Sequence, residues 1–553
     1  MHKAEVPTRR LAAVAALVSA LALVASGCDG SRTEAATASG APAPAESNAP
    51  DPTLAEVGIV ELQSRMARGT LDSRMLVRAY LDRIAAIDDA GPTLDAVIEL
   101  NPDAMREAAA LDAERDAGKL RGPLHGIPVL LKDNIDATPM VNSAGSLALA
   151  WRRPADDAFL VARLREAGAV ILGKTNLSEW ANFRSSRSIS GWSARGGQTR
   201  NPYVLDRSPC GSSSGTGAAV AASLAVAGVG TETDGSILCP ASVNGLVGIK
   251  PTVGLVSRDG IIPIAHSQDT AGPMARSVAD AAVLLQAMAA IDDGDDASAA
   301  NPSREPVDYL ARLDPQALRG ARIGILHKHG VAAQPDVEAA FERAIEALKA
   351  LGAEVVDAQI ATAGQWNAAE FEVLLYEFRH GLDAYLAGSD APVRSLDDVI
   401  AYNAAHAGRE MPLFAQETFE QARTKGPLTD KAYRDARDKA RRLAKTEGID
   451  ATLAHQRLDA LVVPTAGPAW PIDPVNGDHF TGAGYGVAAV AGTPSITVPM
   501  GEARGLPLGI AFLGPAWSEA KLVGYAYAFE QATRARKPPR YLPTVKIPDA
   551  PGD

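Results

Sequence analysis

From residue 54 onward, the chain alternates short apolar runs with longer segments of helical periodicity, and this order limits the fold more than any other feature. The apolar run at residues 323–326 precedes residues 337–351, where apolar side chains recur every three or four positions, and Val355 and Val356 follow. A strand–helix–strand order predicts a crossover between parallel strands. We therefore expect one large α/β domain with a central, twisted, mostly parallel mixed β-sheet flanked by helices.

Composition excludes several other classes of protein. The 553 residues are 46% hydrophobic and 22% charged, values typical of globular chains and unlike those of a wholly disordered one. The 49 glycines and 3 cysteines are too few for a collagen-like chain or a disulfide scaffold. The formal net charge of −12 argues against binding to nucleic acid or to an anionic membrane surface.

The first 27 residues have the layout of a bacterial export signal. Lys3, Arg9 and Arg10 form a basic start, residues 11–24 form a charge-free apolar run, and small residues precede Cys28. The apolar run is shorter than the roughly 20 residues of a membrane-spanning helix. The cysteine after small residues resembles the lipobox of bacterial lipoproteins, in which Cys28 would be lipidated. Plain signal-peptidase cleavage and a retained anchor are the alternatives.

Residues 28–53 are expected to be a flexible tether. Their Ala, Pro, Ser and Glu composition cannot bury enough apolar surface to offset chain entropy, whereas such a sequence suits a linker. The domain would then occupy residues 54–545, with a variable, more helical insertion at about 365–455. We expect an exported protein, either periplasmic or anchored to a membrane by its lipid.

Two short motif matches lack the context that their chemistry needs. Residues 168–175 fit the phosphate-loop pattern GxxxxGK[ST], but the four residues between the glycines form a strand pattern and a helix precedes them. Ser518 fits the SxxK pattern of serine lactamases without its companion motifs. We expect Ser518 to cap a helix that runs to about residue 532. Neither nucleotide binding nor lactamase chemistry is expected.

A third match places Ser213 in a GxSxG sequence. A nucleophile elbow requires a strand immediately before its serine, whereas residues 205–210 are polar and interrupted by proline. Two histidines downstream, His266 and His455, leave a Ser-His-Asp triad formally open.

The sequence offers no metal or cofactor site. No group of His, Cys and Asp residues has metal-ligand spacing, and both HExxH and paired CxxC motifs are absent. Cys210 and Cys239 could pair in an oxidising compartment. Both lie in loops that carry other chemistry, and we expect two separate buried thiols.

A longer pattern lies in residues 210–257, which read CGSSSGTGAAVAASLAVAGVGTETDGSILCPASVNGLVGIKPTVGLVS. This segment resembles the signature of the amidase signature family. Other segments resemble the family in the same order along the chain, at residues 122–135, 169–180, 268–276, 490–507 and 526–533. With the helical start, the resemblance spans about residues 55–535, and agreement over several long blocks is specific. It implies an α/β enzyme that hydrolyses amides without a cofactor.

The resemblance also implies roles for individual residues. Lys132 matches the family's catalytic lysine, Ser212 its bridging serine with a cis peptide bond, and Ser236 its nucleophile. Ser212 and Ser236 are 24 residues apart, the separation expected of the family. The oxyanion hole would be formed by the backbone amides of four consecutive residues, Thr233, Asp234, Gly235 and Ser236.

These residue types suit amide cleavage on chemical grounds. A serine hydroxyl becomes a good nucleophile only when a base takes its proton, and a lysine acts as a base only when it is neutral. Burial lowers a lysine pKa by disfavouring the charged form, and Lys132 ends the apolar run 127–131. Ser212 can both donate and accept a hydrogen bond. It can therefore pass a proton between Ser236 and Lys132.

Departures from the commonest family pattern resemble the bacterial peptide amidase branch. Asp234 replaces a glycine, Leu238 replaces an arginine, and Cys210 stands where glycine is usual. That branch removes the C-terminal amide of peptides as ammonia. Asp234 beside the nucleophile would repel a free carboxylate, which suits a neutral amide substrate.

The expected substrate is therefore a peptide amide or a small-molecule amide. An amidase of another substrate class, acting on aryl or acyl amides, and a non-catalytic binding relative are the alternatives. Retention of Lys132, Ser212 and Ser236 argues against the non-catalytic relative. The sequence leaves the oligomeric state open.

Overall fold

The structure is a computed structural model. In the part of the chain that it describes, the central element is an eleven-stranded sheet. The described residues are 52–327, 329–331, 333–387 and 392–546. The expected export signal, Cys28 and nearly all of the tether lie outside these ranges. Within them, no helix combines the length and apolar character needed to cross a bilayer.

Several strands are buried along their whole length, as expected for a sheet covered on both faces. The bounds of the strands are β1 Val97–Leu100, β2 Pro128–Lys132, β3 Val170–Thr175, β4 Trp192–Ser193, β5 Gly197–Gln198, β6 Ala227–Glu232, β7 Val247–Lys250, β8 Thr270–Ala275, β9 Arg322–Ile325, β10 Glu354–Asp357, β11 Ala460–Pro464, β12 Ser495–Ala503 and β13 Leu506–Leu513.

The helices alternate with these strands. Their bounds are α1 Ile59–Ala67, α2 Ser73–Arg83, α3 Ala104–Asp116, α4 Phe159–Glu166, α5 Ser214–Ala221, α6 Leu238–Val243, α7 Val278–Met288, α8 Asp296–Ala299, α9 Pro335–Ala350, α10 Asn367–Ala387, α11 Leu396–Ala405, α12 Ala407–Glu410, α13 Glu417–Arg423, α14 Lys431–Arg441, α15 Ala451–Gln456, α16 Gly486–Ala491 and α17 Glu519–Thr533. Short 3₁₀ or π turns extend or connect several of them, at Pro52–Leu54, Ile84–Asp88, Glu179–Asn182, Leu310–Arg312 and Arg442–Asp450.

The strand order is β1-β3-β2-β6-β8-β7-β12-β13-β11-β9-β10. Parallel pairs join β3, β2 and β6 in one half of the sheet and β11, β9 and β10 in the other. The strands between them, and the edge strand β1, pair antiparallel. β4 and β5 form a separate two-stranded sheet. The predicted α/β architecture with a mixed sheet and flanking helices is confirmed.

The sheet is covered on both faces, and the side-chain alternation of its strands shows this directly. In β11, Ala460 and Val462 belong to the larger apolar cluster, whereas Leu461 and Val463 belong to a second cluster. Residues of α2, α7, α9 and α17 fill the first cluster, and residues of α6 and α16 fill the second. The parallel unit predicted at residues 323–356 is present as β9, α9 and β10.

Helices α10, α11 and α13 lie in the region predicted to be a helical insertion. They bury a third apolar cluster that includes Phe378, Leu396 and Phe419. This cluster also contains Trp180 and Ile264, which belong to loops of the sheet domain. These helices are therefore packed against loops at one end of the sheet, where the candidate site lies.

Candidate active site

Lys132 is the last residue of β2 and is fully buried. Its Nζ donates hydrogen bonds to Ser212 Oγ at 2.7 Å, to Thr231 Oγ1 at 2.8 Å and to the Thr231 carbonyl at 3.2 Å. Burial lowers the pKa of Lys132 to about 7, against the attraction of Asp269 and Glu232. A substantial neutral fraction of this amine at neutral pH makes it a suitable base.

Ser212 lies in the loop before α5, and it is also fully buried. The peptide bond between Gly211 and Ser212 is cis. α5 packs closely against neighbouring loops because its first turn contains glycine: a Cβ on Gly215 would lie 2.3 Å from the Ala96 carbonyl oxygen. This close packing fixes the start of α5 beside the end of β2, where Lys132 is located.

Ser236 lies in the turn that follows β6 and precedes α6. The Ser213 backbone N–H donates to the Ser236 carbonyl at 3.1 Å, which joins the loop of Ser212 to this turn. Gly235 has a φ of 83°, and a Cβ there would lie 2.1 Å from the Tyr485 ring. Glycine is therefore the only residue that fits at position 235, immediately before Ser236.

The turn from Thr233 to Ser236 presents backbone amides near Ser236. Among the described residues, no backbone carbonyl accepts a hydrogen bond from the amides of Thr233, Asp234 or Ser236. Thr233 is held from two sides, because its hydroxyl donates to Asp269 Oδ1 at 2.5 Å and its carbonyl accepts from Gln268 at 3.3 Å. Amides fixed in this way can stabilise an oxyanion.

Glu232 anchors the end of the same turn. Its Oε2 accepts hydrogen bonds from the amides of Ile237 and Leu238 at 2.7 and 2.9 Å, which lie at the start of α6. Burial raises the pKa of Glu232, although Lys250 and these amides oppose the shift. The carboxyl group therefore fixes the two residues that follow Ser236.

Ser236 opens onto a cleft of about 440 Å³. Its lining combines aromatic and hydroxyl side chains, including Phe183, Ser186, Trp470, Phe480 and Tyr485. A neighbouring cavity of about 630 Å³ shares Ala181, Thr233 and Ile264 with it. The site thus offers room for a substrate much larger than a simple amide group.

Cys210 and Cys239 form a disulfide bond, so the prediction of two separate thiols was wrong. Cys210 is two residues before Ser212 and Cys239 is three residues after Ser236. The loops that carry the two serines are neighbours in space although 24 residues apart, and sequence spacing did not reveal that their cysteines face each other.

The remaining motif matches have structural roles. Residues 170–175 form strand β3, as expected of a sequence that is not a phosphate loop. No strand leads into Ser213, and its hydroxyl donates to the Thr231 carbonyl at 3.1 Å. Of the two histidines considered for a triad, His266 lies 3.4 Å from Glu377 and His455 lies in α15. Ser518 precedes α17, but its hydroxyl donates to the Pro515 carbonyl and does not cap the helix.

Sequence reasoning missed several polar residues that surround Lys132. Asn134 donates to Thr231 Oγ1 at 3.0 Å, and Asp269 accepts from the Ile264 and Ala265 amides at 2.8 Å each. Asp269 was inside a segment that resembled the family, but nothing in the segment itself pointed to this role. In the described part of the chain, no cluster of three or more His, Cys, Asp or Glu side chains is arranged to hold a metal.

Comparisons with known proteins find relatives that match most of the chain. The model of the Amidase family matches residues 75–523. A "probable amidase" of Arabidopsis thaliana is 41% identical over 502 residues, which cover 89% of this chain and 92% of that protein. The native peptide amidase of Stenotrophomonas maltophilia is 60% identical, with a TM-score of 0.86, over 88% of this chain and 99% of that one. A peptide amidase in complex with the competitive inhibitor chymostatin is also 60% identical, with a TM-score of 0.86, over 88% and 100% of the two chains.

Proposed function

This chain belongs to the amidase signature family and hydrolyses amide C–N bonds, and from this premise we propose that it releases ammonia from C-terminally amidated peptides through Ser236, Ser212 and Lys132. The observation that carries the proposal is the 2.7 Å hydrogen bond between Lys132 Nζ and Ser212 Oγ. This hydrogen bond connects a buried lysine of lowered pKa to the loop of Ser212. That loop is in turn hydrogen-bonded to Ser236 through the Ser213 amide.

In the proposed acylation step, Ser236 Oγ attacks the carbonyl carbon of the amide. Its proton passes to Ser212 Oγ as the Ser212 proton passes to neutral Lys132. The carbonyl oxygen becomes an oxyanion beside the amides of the Thr233–Ser236 turn, which stabilise its charge. The C–N bond then breaks, and the same relay returns the proton to the nitrogen, so that ammonia leaves and an ester to Ser236 remains.

Deacylation repeats the relay with water as the nucleophile. Water attacks the ester carbonyl and transfers a proton through Ser212 to Lys132. The C–O bond to Ser236 breaks, and the proton returns to Ser236 Oγ. The products are a carboxylic acid and free enzyme, and no oxidant or cofactor is consumed.

Two observations favour a peptide as the substrate. Solved peptide amidases are 60% identical over nearly their whole length, and one of them binds chymostatin as a competitive inhibitor. The cleft at Ser236 and its neighbour together have aromatic and polar walls suited to side chains and backbone of a peptide. An amidase of aryl or acyl amides is the alternative, and substrate comparison separates the two.

The test measures ammonia release and identifies the peptide products for a matched panel of substrates. N-acylated dipeptide amides, the same dipeptides as free acids, and an aryl amide are compared on wild type and on Lys132→Ala. We expect peptide amides to give the highest kcat/KM, internal peptide bonds to remain intact, and Lys132→Ala to lose at least about a hundredfold in kcat. A higher kcat/KM for the aryl amide would contradict the proposed substrate class.

We further propose that the protein is exported and anchored through a lipid on Cys28. The Cys210–Cys239 disulfide supports export, because such bonds persist in oxidising compartments. Labelled fatty acid should be incorporated into the wild-type protein and fractionate with membranes. The Cys28→Ala variant should take up no label, and label on that variant would contradict the assignment.

A further inference from the structure

Asp234, which stands where the commonest family pattern has glycine, lines the cleft at Ser236. Its side chain is exposed to the cleft that also exposes Ser236. Its carboxylate oxygens lie close to α16, because a Cβ on Gly486 would be 3.7 Å from both. A negative charge held at this position would therefore act on whatever occupies the cleft.

The carboxyl group of Asp234 has a second carboxyl group as its neighbour. Glu370, in the first turn of α10, is hydrogen-bonded to Asp234. Glu370 is 8% exposed and also accepts a hydrogen bond from Gln268 Nε2 at 3.1 Å. Two carboxyl groups can be hydrogen-bonded only when at least one carries a proton.

The surroundings favour retention of that proton. Loss of bulk water inside the cleft and the charge of Glu370 raise the pKa of Asp234 well above its usual range, and burial raises the pKa of Glu370 to about 7. The other ionisable groups that act on Asp234 are Glu232, Lys250 and Tyr485. Glu232 adds to the repulsion, and Lys250 opposes it.

We propose that Asp234 and Glu370 act as one carboxyl pair with a shared proton, and that its negative charge makes the cleft bind neutral amides and repel carboxylates. The inference rests on the proposed function and deepens it. The hydrolysis product carries a carboxylate where the substrate carried an uncharged amide. The pair would therefore weaken product binding and exclude peptide acids without any direct part in bond cleavage.

A carboxyl pair that shares one proton should respond to substitution differently from a single carboxylate. When Glu370 is replaced by glutamine, Asp234 loses a neighbour that raises its pKa, and at alkaline pH Asp234 carries the negative charge of the cleft itself. When both residues are replaced by amides, that charge is gone. Rejection of carboxylates should therefore survive Glu370→Gln, fall in Asp234→Asn, and nearly vanish in the double variant.

The test measures binding without turnover. In a Ser236→Ala background, calorimetry at pH 8 gives dissociation constants for a peptide amide and for the same peptide as a free acid. We expect the ratio of the acid constant to the amide constant to fall about tenfold or more in Asp234→Asn/Glu370→Gln, the change expected when one charge a few ångströms away is removed. Glu372→Gln is the matched control, because this glutamate on the same helix pairs with Lys425 and should leave the ratio unchanged.

An equal ratio in the background protein and the double variant would overturn the inference. If the double variant does not fold, Asp234→Asn alone must lower the ratio and Glu370→Gln alone must not. Failure of the proposed function is recognised separately, because the enzyme with Ser236 intact would then not hydrolyse the peptide amide.

Discussion

At the residue scale, the ionisation of Lys132 should set the pH dependence of the reaction. Its pKa is lowered to about 7 by burial, and only the neutral amine can accept a proton. The kcat/KM for a peptide amide should therefore rise about tenfold per pH unit below pH 6 and level off above pH 8, since this parameter reports the free enzyme. A pH profile from 5 to 9 checks this.

A flat profile across pH 6–8 would contradict a base with this pKa. Because Glu370 also titrates near this range, the profile is repeated on Glu370→Gln. The limb assigned to Lys132 should persist in that variant.

Glu232 should act by positioning the residues after Ser236. Glu232→Leu leaves the Ile237 and Leu238 amides without their acceptor, which costs about 1–3 kcal/mol for each buried group. We expect a lower melting temperature and a kcat reduced about tenfold or more. Glu232→Gln retains an oxygen acceptor and should recover most of the kcat, with KM little changed in both. Equal activity in the two variants would show that the hydrogen bonds do not matter.

At the scale of elements, the disulfide links two elements near the serines. Cys210 lies in the loop that precedes α5 and carries Ser212, and Cys239 lies in α6, which follows Ser236. Replacing Cys210 and Cys239 by serine should lower the free energy of unfolding by about 3 kcal/mol, because a cross-link over 29 residues restricts the unfolded chain. Denaturant unfolding with and without reductant measures this. Reductant should destabilise wild type and leave the double serine variant unchanged. An effect of the same size on both would point to another cause.

Elements with local patterns could be predicted from sequence. The run that ends at Lys132 is strand β2, and the strand–helix–strand unit is present as β9, α9 and β10. In each case, the spacing of apolar residues within one short segment determines which side chains are buried, so the segment alone predicts the element. The N-terminal helical pattern at 55–89 forms two helices, α1 and α2, separated near Gly69.

Contacts between distant segments could not be predicted in this way. Lys132 and Thr231 are 99 residues apart and Gln268 and Glu370 are 102 apart, so no local pattern records them. The pairing of Cys210 with Cys239 depends on how two loops turn toward each other. The position of Lys132 and the two serines came instead from resemblance over long blocks, which carries the three-dimensional arrangement of a whole family.

At the scale of the whole molecule, helices α10 and α13 support a wall of the cleft. The Phe419 ring of α13 lies 5.6 Å from the Trp180 ring and 5.0 Å from the Phe378 ring, and Ala181, next to Trp180, lines both cavities. Phe419→Ala should cost about 3–5 kcal/mol of stability. It should also raise KM for a peptide amide more than for acetamide, because only the larger substrate contacts this wall. Exposed Val475 provides a control in Val475→Ala, and equal KM changes for both substrates would contradict this role.

The central claim is that Ser236 carries the acyl group, and intact-protein mass spectrometry tests it most directly. During turnover of an activated peptide ester, rapidly quenched wild-type enzyme should gain the mass of the ester less that of its leaving alcohol, and fragmentation should place the added group on Ser236. Ser236→Ala should show no adduct and no ammonia release from the peptide amide. An adduct on another residue, or hydrolysis by Ser236→Ala at the wild-type rate, would contradict the account.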